Sequence, residues 1–112
     1  PCLGYRFNVD GKVITYCTDT GPHKNVEELA DNADLLITEC SLRMGENYPG
    51  WPHLNPLDSV KIALKANAKI LVLTHFDANI YRSRSERLES NESMEKLFEN
   101  IFYASDGMEI EL

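Results

Sequence analysis

Ile70-Leu71-Val72-Leu73-Thr74-His75-Phe76 decides the fold class of this chain. An unbroken apolar run suits a strand buried on both faces, as in parallel sheets under helices. Leu35-Leu36-Ile37, which runs into Thr38-Glu39, has the same character. Between the two, Asn55-Pro56 supplies an N-cap followed by proline at the first helical position. Leu57, Val60, Ala63 and Leu64 then form the apolar stripe of a helix over 56–66. Strand 35–37, helix 56–66 and strand 70–74 make a strand–helix–strand unit, expected to be right-handed. The fold class is α/β.

Upstream, Leu3, Tyr5, Phe7 and Val9 alternate with Gly4, Arg6 and Asn8, the period of a half-buried strand. Asp10-Gly11 is a strong hairpin signal, and Val13 to Thr18 is the return strand. After the loop Asp19-Thr20-Gly21-Pro22, the spacing of Val26, Leu29, Ala30 and Ala33 predicts a short helix over 24–32. Residues 41–53 contain Gly45, Pro49, Gly50 and Pro52 and form an irregular loop. Beyond His75 the chain turns polar through Arg82, Arg84, Glu86, Arg87 and Glu89. Met94, Leu97, Phe98 and Ile101 predict a helix, and Met108-Glu109-Ile110-Glu111-Leu112 a terminal strand.

The 112 residues make one domain at most. A chain of this length buries roughly 65% of its unfolded surface, so a modest core forms without staples. Net charge is −7, the wrong sign for a surface that tracks phosphate backbones. Metal cations can reverse the local field of a site, so a charged substrate stays open. Three cysteines, Cys2, Cys17 and Cys40, lack Cys-x-x-Cys spacing, which argues against a structural zinc or disulfide framework and for a reduced, cytoplasmic setting. No apolar run is long enough to span a membrane. The chain opens on Pro1-Cys2-Leu3-Gly4 without an initiator Met and is expected to be a piece of a longer protein.

Asp19, Glu39 and His75 each end an apolar strand run, and the 41–53 loop can return His53 to the same edge of the sheet. Ligand-binding residues gather outside the carboxyl ends of strands in open α/β sheets. Taken singly, each has a bland reading. Asp19 suits a turn, Glu39 a surface carboxylate, and His53 a loop histidine packed on Trp51. Together, carboxylate and imidazole suit a hard or borderline metal ion. A histidine beside a glutamate suits proton transfer. His23 is expected at the exposed start of a helix. Cys17 and Cys40 are expected as buried fillers. No serine sits in a G-x-S-x-G turn and no glycine-rich phosphate loop occurs.

With these residues in hand, the chain resembles the C-terminal half of a metallo-β-lactamase-fold hydrolase. The similarity is to the branch of tRNA 3′-processing endonucleases and cyclic phosphodiesterases. Tyr16-Cys17-Thr18-Asp19-Thr20 resembles the family strand whose aspartate bridges two metal ions. Ala33-Asp34-Leu35-Leu36-Ile37-Thr38-Glu39-Cys40 resembles the segment whose glutamate supports a catalytic histidine. Pro52-His53-Leu54-Asn55-Pro56 resembles the segment bearing that histidine, and Leu71-Val72-Leu73-Thr74-His75-Phe76 the strand ending in a late metal ligand. Thr38 stands where the endonucleases often have His, and Leu54-Asn55 replaces small Ser/Thr residues. The family's HxHxDH motif has no counterpart among His23, His53 and His75.

The resemblance implies an αββα sandwich, of which residues 1–112 are a single partial domain with a mixed sheet and helices on one face. It implies two divalent ions, zinc or manganese, in the complete enzyme rather than in this chain alone. Asp19 and His75 would be metal ligands, and His53 with Glu39 the proton-transfer pair. A small phosphodiester or nucleotide-like substrate is expected ahead of RNA, on charge. A half-sandwich would also expose an apolar face and associate, so a homo-oligomer is expected. The competing readings are a non-catalytic α/β interaction module, presenting Trp51 or the 82–87 arginines, and a metal-free paralogue of the same fold.

Overall fold

The computed structural model describes residues 2–112. Strands β1 (Tyr5–Val9) and β2 (Lys12–Cys17) form the antiparallel hairpin, with Val9 opposite Lys12. The turn needs two left-handed residues, and Asp10 (φ 50°) and Gly11 (φ 77°) supply them. Helix α1 (Lys24–Leu29) leads into β3 (Leu35–Glu39), α2 (Pro56–Lys65) into β4 (Ile70–Thr74), and α3 (Arg84–Glu92) into β5 (Ile101–Tyr103). The strands lie in the order β1-β2-β3-β4-β5, with β2 to β5 parallel. This is the mixed sheet that the family resemblance implies, with the parallel strands where the apolar runs lie.

Strand register divides the sheet into two unlike faces. Thr15, Leu36, Leu71 and Ile101 lie in one row and are all buried. They share a core with Val26 and Ala30 of α1 and with Val60, Ile62 and Ala63 of α2. Burying a side chain of this size contributes about 1.5–3 kcal/mol. On the opposite face, Tyr5, Tyr16, Ile37, Val72 and Phe102 form one row across all five strands. Phe7, Ile14, Leu35 and Ile70 form the next. Here Tyr5 is 50% exposed, Phe7 49% and Phe102 41%, so the helices cover one face only.

Helix α1 is shorter than the expected 24–32. It stops at the Ala30 cap, and Asn32 (φ 52°) takes a left-handed conformation two residues on. Arg6 closes its end by donating to the Leu29 and Asp31 carbonyls, both at 2.8 Å. The C-terminal expectations are corrected. The last helix does not follow Met94, Leu97, Phe98 and Ile101 but precedes them. Ser83 and Glu86 form a reciprocal capping box that starts α3 in the polar segment. Met94 and Phe98 then fill the core from turns, while Ile101 opens β5. Residues 108–112 carry no strand; β5 is an edge, and the alternating pattern there finds no ladder partner among the described residues.

Candidate active site

Asp19, Glu39, His53 and His75 meet at the carboxyl ends of β2, β3 and β4. Glu39 is the last residue of β3 and is fully buried. Its carboxylate is not left unpaired, which would be costly at this depth. Oε1 accepts the Thr20 N–H at 3.0 Å and His53 Nδ1 at 2.5 Å, while Oε2 accepts the Ser41 N–H at 3.0 Å. The surface-carboxylate reading of Glu39 is therefore wrong. It is an internal acceptor that ties the loop after β2 to both ends of the 41–53 loop. Since an ionised carboxylate only accepts, the proton between the two groups belongs to His53 Nδ1, and His53 Nε2 points away from Glu39. Trp51 packs edge-on against the His53 ring at 4.2 Å, the packing expected of a loop histidine beside that indole.

Asp19 and His75 are the outward pair. Their side chains are 61% and 53% exposed, and Asp19 Oδ1 lies 3.2 Å from His75 Nδ1. Both residues have positive φ, 53° and 51°. That conformation costs a non-glycine residue roughly 1–2 kcal/mol, and Asp and His are among those that tolerate it. It turns the chain out of the extended path directly after β4 at His75 and two residues after β2 at Asp19. Strained residues of this kind gather at functional sites. The His53 and His75 rings stand 6.4 Å apart with planes 25° from parallel, so the buried pair and the exposed pair adjoin.

The donor set bears on whether a metal fits. Asp19 and His75 present one oxygen and one nitrogen ligand of the type zinc or manganese takes. Catalytic sites use at least three protein ligands. Among the described residues, no group of three or more His, Cys, Asp or Glu side chains could hold an ion. By that standard, Asp19 and His75 alone are an incomplete set.

Neighbouring positions fall into place. His23 caps α1, its Nδ1 accepting the Asn25 N–H at 3.1 Å. Cys17 and Cys40 are buried, and burial pushes their thiols up to about 11 and about 12, away from the nucleophilic thiolate. Thr38 donates to Ser59 at 3.0 Å inside the core, Leu54 is fully buried, and Asn55 caps α2 through Asp58 N–H. Ser41 is the member that sequence reasoning missed. It is buried, and its Oγ contacts His75 at both Nδ1 (3.2 Å) and the carbonyl oxygen (3.1 Å). A serine after a buried strand carries no signal of such a role.

Comparison with known proteins places these residues among relatives. The family model described as beta-lactamase superfamily domain matches residues 1–76. Ribonuclease Z of Archaeoglobus fulgidus is 33% identical over 106 residues, covering 91% of this chain and 33% of that protein. The chain thus spans about a third of the length of the curated relatives it matches. The metallo-beta-lactamase fold protein YhfI from Bacillus subtilis superposes with a TM-score of 0.75 at 26% identity, covering 92% of this chain and 41% of that one. The short form of human tRNase Z gives 0.70 at 24% identity over 96% of this chain and 37% of its own, a likeness of fold.

Proposed function

We propose, from the premise that this chain belongs to the beta-lactamase superfamily, that it carries the proton-transfer pair and two metal donors of a metal-dependent phosphodiesterase. The observation that carries this reading is the buried Glu39–His53 pair standing against the exposed Asp19–His75 pair. Glu39 holds the His53 ring through Nδ1–H, so that the ring, when protonated on both nitrogens, gives its Nε2 proton to the oxygen leaving phosphorus as the P–O bond breaks and is left neutral with its hydrogen on Nδ1. That nitrogen then recovers a proton from solvent. Asp19 and His75 are exposed as donors to a divalent centre completed by other ligands. Divalent ions, when bound, supply an activated water and positive charge at a phosphoryl group.

The substrate is a phosphodiester, and relatives named ribonuclease Z favour RNA over the small diesters that the chain's charge favoured. Net charge is a weak guide here, since −7 describes a chain covering a third of such relatives. The test is a chimera in which this chain replaces the matching third of the Archaeoglobus fulgidus ribonuclease Z. RNA cleavage with manganese or zinc is expected, with His53→Ala lowering kcat and Asp19→Ala or His75→Ala lowering metal affinity. A folded, metal-loaded chimera whose turnover survives all three substitutions would leave only the interaction-module reading.

A further inference from the structure

We propose that Ser41 is a positioning residue: it fixes which ring nitrogen of His75 carries the proton, and it couples that ring to the Glu39–His53 pair. Ser41 is 2% exposed and makes three directed contacts. Its N–H donates to Glu39 Oε2 at 3.0 Å. Its hydroxyl donates to the His75 carbonyl oxygen at 3.1 Å, and Oγ lies 3.2 Å from His75 Nδ1.

A hydroxyl has one hydrogen. Once that hydrogen is given to a carbonyl, which only accepts, Oγ can meet Nδ1 only as an acceptor. Asp19 Oδ1, 3.2 Å from the same nitrogen, also only accepts. Both neighbours therefore demand an N–H at Nδ1, which leaves the lone pair on Nε2. Nε2 is then the atom free to bind a cation, and this consequence rests on the function proposed above. Metal-binding histidines commonly hold their second N–H on such an acceptor. A carboxylate engaged as a metal ligand has less charge to offer that N–H. Ser41 is the acceptor that stays. The same residue grips the Glu39 carboxylate through its backbone, so the two pairs share one anchor.

The test reads the tautomer directly. Long-range proton–nitrogen correlation NMR on chain labelled at histidine nitrogen, without metal and at pH 8, assigns the His75 signals by comparison with His75→Gln. Native chain is expected to show the Nδ1–H form. Asp19→Gly is expected to keep it, because Ser41 remains. Adding Ser41→Ala to Asp19→Gly should return His75 to the Nε2–H form that free imidazole favours, while adding Ser41→Thr should not. Dominant Nε2–H in the native chain would overturn the proposal before any variant is made. So would persistence of Nδ1–H in the Ser41→Ala, Asp19→Gly double variant. In the chimera with the Archaeoglobus fulgidus ribonuclease Z, where other ligands complete the centre, Ser41→Ala should weaken zinc binding by about tenfold or more, with Ser41→Thr near native. Nδ1–H at His75 in the native chain, together with a folded chimera that binds no zinc, would sink the metal reading and leave the tautomer assignment standing.

Discussion

Glu39→Gln is the substitution that tests the site's architecture most sharply. It keeps shape and volume and changes only hydrogen-bond chemistry. In the native chain, Oε1 takes two donors and Oε2 takes one, all with their hydrogens pointed at the carboxylate. A glutamine has one accepting end. Aimed at Thr20 and His53, it places its NH2 against the Ser41 N–H. Aimed the other way, it opposes two donors instead of one. The better choice strands a buried backbone N–H, at about 1–3 kcal/mol. The two remaining bonds fall from charge-assisted to neutral, adding about 1 kcal/mol. The expected loss is about 2–4 kcal/mol, against a total of about 5–15 kcal/mol for a domain. Urea unfolding followed by circular dichroism measures it. A change within 0.5 kcal/mol of native would refute the three-donor description of Glu39. In the chimera, kcat should also fall, as the bond that orients His53 passes from charge-assisted to neutral.

Three further outcomes are expected. Lys69 and the Val13 N–H hydrogen-bond Asp34 and hold its carboxyl below the ordinary range. A lowered folded pKa means stability that is complete above the unfolded value and lost as pH falls. The urea midpoint should therefore drop between about pH 5 and pH 3, and Asp34→Asn should flatten that slope; parallel slopes would count against the contact. The exposed side chains Tyr5, Phe7, Tyr16 and Phe102 on the face away from the helices should drive association, which Phe7→Lys with Phe102→Lys should suppress; native chain that scatters light as a monomer at high concentration would disprove it. With only two metal donors present, the chain alone should not hydrolyse bis(p-nitrophenyl) phosphate in manganese or zinc, and robust metal-dependent turnover would show that the donor set is complete after all.

What could be read in advance was whatever the backbone and the core dictate locally. Asp10-Gly11 announced its turn because few residue pairs accept two positive φ angles. Asn55-Pro56 announced α2 because cap and first-turn chemistry is local. Leu35-Leu36-Ile37 and Ile70-Leu71-Val72-Leu73 announced parallel strands because both faces of each are largely covered. Helix α3 escaped because it has almost no apolar stripe; only Asn91 in it is buried. Its signal was the capping box Ser83-Arg84-Ser85-Glu86, which periodicity does not detect. The candidate site was legible as three residues at strand ends and one histidine in the 41–53 loop, but not its division into a buried pair and an exposed pair. That division depends on which side chains the loops cover. Ser41 was invisible because its function comes from meeting His75, 34 residues away.

The positive φ angles at Asp19 and His75 have a consequence for inheritance. Glycine is the residue best suited to that backbone, and an aspartate codon becomes a glycine codon by one base change. Asp19→Gly would relieve the local strain while removing a donor. The fold would survive the very lesion that, on the function proposed above, silences the centre. Loss of chemistry in this lineage would then leave no trace in expression or solubility, and a descendant without activity could persist as a stable scaffold, open to recruitment for another task.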